Sequence, residues 1–307
     1  MDIDSKVFIA GHKGLVGSAL VRKLESLGYS NIITLDRKFL DLRNQSQVND
    51  FFSVAKPDYV FLAAAKVGGI NYNKTFPADF IYDNTSIQNN VIHAAYRNST
   101  KKLMFLGSAC IYPKVTPQPI KEEYLLTDVL EPTNEGYALA KIAGLKMCQM
   151  FKEQYGFNAI SVMPANLYGI NDNFNIDQCH VIPAMIRKFH DAKINGDNVI
   201  LFGDGTPTRE FLYIDDLADS LVYLMNNYDD AQHINIGSGL EYSIKRLAEI
   251  VASVTEFSGD IIWDTTKPNG TPRRKLDTSK INSLGWNATT SLEDGLKTTY
   301  DWFLNNV

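Results

Sequence analysis

The chain has 307 residues, 45% hydrophobic and 21% charged, which supplies apolar side chain for one large core or two smaller ones and excludes a disordered, collagen-like or repeat-built protein. A formal net charge of −5 with no dense Lys/Arg block speaks against a nucleic-acid or anionic-membrane surface. The three cysteines, Cys110, Cys148 and Cys179, form no CxxC pair and no disulfide framework. An acidic start (Met1 to Lys6), a first apolar run of four residues and no stretch near ~18 apolar residues fit a cytoplasmic protein.

In chain order, residues 7–10, 32–35, 59–62, 103–106 and 159–163 read as buried strands. Amphipathic patterns over 18–27, 45–55, 81–97 and 135–155 read as the helices between them. Apolar strands without polar alternation, each followed by a helix, predict a Rossmann-type doubly wound parallel α/β sheet. Past Pro164 the pattern loosens. Helices are expected over 177–192, 215–226 and 242–254, strands over 199–202 and 233–236, a turn over 203–208 and a loop over 266–274. The expected organisation is a dinucleotide-binding domain over 1–165, with a returning segment near 205–240. A smaller, interleaved α/β substrate domain follows over 166–307.

The first strand runs into Gly11-His12-Lys13-Gly14-Leu15-Val16-Gly17 and then a helix. Glycines there permit a tight turn, close approach to a pyrophosphate and helix-on-strand packing, and the helix N-terminus offers free N–H groups to the anion. At the end of the second strand stand Asp36, Arg37 and Lys38. The acid would take the ribose hydroxyls of NAD, whereas the adjacent cations tilt the reading toward NADP.

Tyr137 and Lys141 form Tyr-x-x-x-Lys, a spacing that chance alone supplies about once in a chain of this composition. Position gives it weight: it opens a helix after the fourth strand, with both side chains on one face. A lysine ammonium there favours ionisation of the phenol and draws its pKa toward neutrality. Ser108, past the end of the fourth strand, can hydrogen-bond a substrate oxygen beside the tyrosine. Cys110 either faces the same cleft or packs as a small apolar group.

Together the glycine loop, the serine and Tyr-x-x-x-Lys resemble the extended short-chain dehydrogenase/reductases. Longer strings resemble the GDP-4-keto-6-deoxymannose epimerase/reductases among them: AGHKGLVG (10–17), LAAAKVGGI (62–70), SACIYPK (108–114), NEGYALAKIAG (134–144), PANLYG (164–169), DNF (172–174), HVIPAMI (180–186) and REF (209–211). With the stretch 271–277 the similarity covers essentially the whole chain.

This resemblance implies a reaction in two stages: inversion at carbons 3 and 5 of a GDP-4-keto sugar, then NADPH reduction at carbon 4, giving GDP-L-fucose or a close relative. It implies Tyr137 as the acid, Lys141 as its partner and a nicotinamide-ribose ligand, Ser108 as the ketone's donor, and Cys110 and His180 as the epimerisation base and acid. Its cofactor contacts fall on the glycine loop and Arg37, then on Leu62, Ala63, Ala64, Leu106, Gly107 and Ser108. Pro164, Ala165, Asn166, Leu167 and His180 complete them. Lys188, Phe202, Arg209 and Asn269 fall on the GDP-sugar contacts, although arginine, tryptophan and aspartate are usual where Lys188, Phe202 and Asn269 stand. Arg209 has an alternative as a structural ion pair with Glu210 or Asp215, and His180 as a helix cap. Cys179 beside His180 does not make a metal site, and none is expected. A homodimer through a four-helix interface including the Tyr137 helix is implied. Other readings are a carbon-4 reductase for a GDP-4-keto-heptose, an NAD-holding 4-epimerase, and an inactive Rossmann module.

Overall fold

The computed structural model describes residues 1–267 and 269–307; Pro268, inside the loop expected over 266–274, lies outside them. In chain order β1 (Val7–Ala10), α1 (Leu15–Ser26), β2 (Ile32–Ile33), α2 (Gln45–Ala55), β3 (Tyr59–Leu62), α3 (Ile70–Thr75), α4 (Pro77–Arg97), β4 (Lys102–Leu106), α5 (Glu135–Tyr155) and β5 (Ala159–Pro164) come first. A short 3-10 turn, Ala109–Ile111, follows β4. Then come β6 (Asn166–Tyr168), α6 (Val181–Asn195), β7 (Val199–Phe202), β8 (Thr208–Arg209), β9 (Phe211–Tyr213), α7 (Ile214–Asn227) and β10 (Ile234–Ile236). The chain closes with β11 (Tyr242–Ser243), α8 (Ile244–Thr255), β12 (Ile261–Asp264), β13 (Arg273–Arg274), α9 (Ser279–Ser283) and α10 (Leu292–Asn306).

Six strands pair in the order β10-β5-β4-β3-β1-β2, all parallel. A parallel sheet needs cover on both faces, and this one has it. Val7 and Ile9 of β1 enter one core with α1, α6 and α7, while Phe8 and Ala10 enter the other with α2, α4 and α5. Strand order reverses at β1, so the crevice past its carboxyl end is where ligands bind in such sheets. The sheet is Rossmann-type, as its sequence pattern predicts. Three small sheets, β11-β8-β13, β12-β7 and β6-β9, build the rest.

Several boundaries differ from the expected ones. β2 is only two residues long because it is an edge strand paired with β1 alone, and Leu35 is already exposed. α1 starts at Leu15, so Gly17, the last glycine of the loop motif, already lies in its first turn. α6 starts at Val181 rather than 177, since the Asn175 and Asp172 side chains engage local backbone N–H groups first. α3, β6, β8, β9, β11, β12, β13, α9 and α10 are additions to the expected set.

One buried polar network ties β10 to the segment after β4. The Tyr112 hydroxyl donates to Asn235 Oδ1 at 2.5 Å and pairs with His233 Nε2 at 3.0 Å. Asn235 Nδ2 donates to the Ile120 carbonyl. Burial pushes the His233 imidazole down to about 4, so the fold holds it neutral. With the folded value below the unfolded one, no stability is lost above pH 6.5, and it drains away as pH falls from there toward 4. Native protein is expected to lose about 2 kcal/mol more unfolding free energy between pH 7 and 5 than His233→Gln does, read by urea denaturation at each pH.

Candidate active site

The glycine loop forms where the sequence places it. A methyl on Gly11, whose φ is +92°, would lie 2.8 Å from the Ala64 Cα, and one on Gly17 would lie 2.1 Å from the Gly11 carbonyl oxygen. Only glycine lets the loop, the first turn of α1 and the backbone after β3 approach so closely. The Ala63 N–H donates to the Ala10 carbonyl at 3.1 Å, and Leu62 is buried at the end of β3. α1 begins after Gly14 with no side-chain cap and no acid in its first turn, so its free N–H groups face the crevice. This cradle, which a Cβ would fill, fits a diphosphate.

Asp36 reaches that loop. Its carboxylate takes Lys13 Nζ at 2.7 Å and His12 Nε2 at 3.3 Å, and the Lys13 hydrogen bond holds its pKa below the ordinary range. Arg37 is exposed and turns to Asp41 at 3.7 Å, while Lys38 lies over the Phe39 ring. The cation paired with the acid is therefore Lys13 of the glycine loop, while Lys38, which follows it in sequence, acts on it only at a distance.

The reactive groups gather past the carboxyl end of β4. Ser108 caps the 3-10 turn, accepting the Cys110 N–H at 3.4 Å, and its hydroxyl lies close enough to the Cys110 thiol and the Tyr137 phenol to lower the pKa of each. Lys141 is 3% exposed, donates to the Leu106 carbonyl at 2.7 Å and sits 5.7 Å from the centre of the Tyr137 ring. Burial pulls its pKa down to about 8. The expectation that Lys141 draws the phenol toward neutrality is not met here. Burial, then the nearby Cys110 sulfur, push Tyr137 up, and Lys141 spends its donor on Leu106. The phenol is thereby a firmly protonated acid. Gly107 packs against Met163, with no room for a side chain.

Arg274, not singled out from the sequence, completes this corner. One of its terminal nitrogens donates to the carbonyls of Ala109 at 2.7 Å and Tyr112 at 3.2 Å. Two adjacent arginines in a Pro/Gly-bounded stretch were the only sequence signal.

His180 is the residue before α6, and its side chain makes no cap bond. It stays exposed on one side while its flanks are crowded, and that desolvation holds the imidazole below its usual value. The loop before it is anchored twice. Asn171 Nδ2 donates to the Lys13 carbonyl and Ser18 Oγ, and the Gln178 carbonyl accepts the Gly69 N–H at 2.8 Å. Among the described residues no hydrogen bond or ion pair joins His180 to Cys110, Tyr137, Lys141 or Ser108. Pro164 ends β5, the Ala165 N–H donates to the Ile236 carbonyl, and Asn166 Nδ2 donates to the Glu210 carbonyl at 2.9 Å. Leu167 follows within β6.

A second strip leads away from Cys110. Arg209 stands opposite Arg274 in the β8–β13 register and donates to its neighbour's carbonyl, Thr208, at 2.7 Å. Neither carboxylate suggested for it is its partner: Asp215 takes Arg22 at 2.6 Å, and Glu210 accepts backbone N–H groups. Desolvation, then Arg274, hold the Arg209 pKa below its ordinary value. Asn269 Oδ1 accepts the Asp204 N–H at 3.1 Å, and Lys188 Nζ lies 5.2 Å over the ring of Phe202, which is 63% exposed. A guanidinium that pairs with no carboxylate among the described residues suits a phosphate, and an exposed aromatic face suits a base.

A phenol and lysine on the helix after β4, set beside a diphosphate cradle at a topological switch point, define a nucleotide-dependent Rossmann enzyme working at a carbonyl carbon. The chain belongs to the NAD dependent epimerase/dehydratase family, whose pattern matches residues 7–237. It is 57% identical to GDP-L-fucose synthase 1 of Arabidopsis thaliana over 307 residues, covering 100% of this chain and 95% of that protein. It is 49% identical to the GDP-L-fucose synthase of Escherichia coli strain K12, covering 98% of this chain and 97% of that one. Two solved structures from Campylobacter jejuni superpose closely. A GDP-6-OMe-4-keto-L-xylo-heptose reductase matches with a TM-score of 0.95 at 40% identity, over 100% of this chain and 99% of that one. A GDP-mannoheptose C4 reductase with NADP bound matches with a TM-score of 0.92 at 43% identity, over 99% of each chain.

A ribose 2′-phosphate placed at this loop would meet the Asp36 carboxylate as well as Lys13. Asp36→Ala is expected to bind 2′-phospho-ADP-ribose about tenfold more tightly and ADP-ribose less tightly, read by calorimetric titration of both.

Proposed function

We propose that this chain converts GDP-4-keto-6-deoxymannose to GDP-L-fucose, inverting carbons 3 and 5 before reducing carbon 4. The observation that carries the reading is Cys110: it sits on the turn capped by Ser108, near enough to Tyr137 to raise the phenol's pKa, and a plain 4-reductase or 4-epimerase has no task for a thiol there. The identities to GDP-L-fucose synthases support the same substrate.

NADPH, when bound, supplies the hydride for carbon 4. The glycine loop and α1 hold its diphosphate, with Lys13 and His12 near the adenosine ribose. Residues 62–64, 106–108 and 164–167 line the nicotinamide half, joined by Lys141 and His180. Arg37 remains a candidate contact only if it leaves Asp41. Arg209 takes the sugar diphosphate, and Phe202, Lys188 and Asn269 take the guanosine half. On this reading residues 1–165, with the segment near 205–240, serve the dinucleotide, and 166–307 serve the GDP-sugar.

Ser108 and Tyr137 hydrogen-bond the ketone oxygen and make the carbon 3 and carbon 5 hydrogens acidic. The Cys110 thiolate takes such a hydrogen, the electron pair moves to the ketone oxygen, and His180 returns a proton to the opposite face. Once carbon 4 accepts hydride, Tyr137 gives its proton to the alkoxide, and Lys141 stabilises the phenolate left behind. No step calls for a metal.

We further propose a cytoplasmic homodimer. Leu139 and Met150 are exposed apolar groups on α5, the helix expected at the interface, and Ile81 and Tyr82 are exposed on α4, which packs against it. Among the described residues no helix is long and apolar enough to cross a membrane.

Turnover of GDP-4-keto-6-deoxymannose with NADPH in heavy water tests the chemistry by proton NMR. GDP-L-fucose deuterated at carbons 3 and 5 is expected. Reduction without deuterium would leave a carbon-4 reductase, and no turnover would direct the search to GDP-4-keto-heptoses. Tyr137→Phe should slow reduction about 10²- to 10⁴-fold in the stopped-flow decay of NADPH absorbance, with NADPH still bound.

A further inference from the structure

A thiol that must act as a base in a desolvated pocket needs a positive charge beside it. Four groups face Cys110: Ser108 from its own turn, Tyr137 and Lys141 from α5, and Arg274 from β13. Burial raises the thiol, and the Ser108 hydrogen bond followed by the Arg274 and Lys141 charges oppose it. Lys141 is an unreliable counter-charge, because burial brings its own pKa down to about 8. A guanidinium keeps its proton throughout the working pH range.

Arg274 also lacks a competing anion. Among the described residues no carboxylate forms an ion pair with it; Glu131, which also faces it, is engaged by Lys114 at 3.2 Å and by Thr133. Its hydrogen bonds go to two carbonyls, Ala109 and Tyr112, which bracket the cysteine in sequence. Arg209 beside it adds a second cation rather than a partner.

We propose that Arg274 is the positioning residue for Cys110, pinning the turn that carries the thiol and supplying the fixed charge that lets it ionise. The inference rests on the reading of Cys110 as epimerisation base. It adds that the fixed charge beside this base comes from the C-terminal segment bearing β13, whereas the α5 helix supplies in Lys141 a charge that burial weakens. In the reaction the thiolate gains the proton leaving carbon 3 or 5 and becomes a thiol. Arg274 remains protonated throughout.

The test is alkylation of the whole protein by iodoacetamide from pH 6 to 10, without substrate or cofactor. Modification of Cys110 is quantified by peptide mass mapping, so Cys148 and Cys179 do not enter the readout. Arg274→Gln keeps a donor for the carbonyls and removes the charge; Arg274→Lys keeps the charge and loses the fork. The glutamine variant is expected to raise the inflection by about one pH unit, an about tenfold slower alkylation below it, with an unchanged rate at the high-pH plateau. The lysine variant should hold the inflection of the parent. An unmoved inflection in Arg274→Gln, or an equal rise in both variants, overturns the proposal. Should the glutamine variant fail to fold, the lysine variant decides: a held inflection supports it and a raised one overturns it. The outcome does not depend on turnover, so deuterium incorporation in the earlier experiment can fail while this result stands, or the reverse.

Discussion

The carboxylate of Glu210 is 1% exposed, and the geometry of the whole cleft depends on how it is satisfied. Burying such a group is costly unless donors meet it. Here Oε1 accepts the Gly239 N–H and Oε2 the Leu276 N–H, each at 2.8 Å. Gly237 presses so close that any side chain on it would overlap the carboxylate. The backbone of the same residue accepts Asn166 Nδ2. One residue thus joins the segment after β5, the segment after β10 and the strand pair β8–β13. Arg209 and Arg274 inherit their places from it. Through Arg274 the knot reaches the turn of Cys110.

Charge in this molecule is local rather than global. The chain is net acidic, yet the proposed site draws on the bare N-terminus of α1, Lys13, Lys188, Arg209 and Arg274. The carboxylates near them are occupied: Asp215 by Arg22, Asp36 by Lys13, Glu210 by backbone. On the proposed reading these donors serve two diphosphates, one at the switch point of the sheet and one along β8. Solvent screens the exposed Lys13 and the half-buried Lys188 more than the desolvated Arg209 and Arg274.

The parallel sheet was legible because β1, β3, β4 and β5 are apolar runs buried on both faces, a pattern with no cheaper explanation. The glycine loop was legible because backbone approach at Gly11 and Gly17 forbids any other residue. Residues 172–177 were not. A helical hydrophobic period over 177–192 ignores Asn and Asp side chains that bond their own backbone, and these delay α6 until His180. Arg274 escaped for a different reason. Its role arises from a register with Arg209 and a contact across 165 residues, and neither leaves a periodic trace. The Asp36–Lys13 pair belongs to the same class: the sequence shows cations next to the acid in the chain, whereas folding brings others.

Burial sets the chemistry of the site by driving its groups toward their neutral forms. The phenol of Tyr137 and the thiol of Cys110 are pushed up, and the ammonium of Lys141 is pulled down to about 8. Lys102 is buried on β4 and brought to the same value, but its ammonium donates to the carbonyls of Met225 and Tyr228 and so closes the end of α7. Lys141 has one carbonyl and two aromatic rings instead. A lysine whose folded pKa lies below its unfolded one leaves the unfolded chain holding more protons between the two values. The fold therefore gains stability as pH rises from about 8 to 10.5, the reverse of a paired lysine, and below that window it bears the full cost of the buried charge. For Lys102 the cost is offset by capping a helix. For Lys141 the return is reactivity: an ammonium with few partners is free to turn its field on whatever negative charge develops beside it.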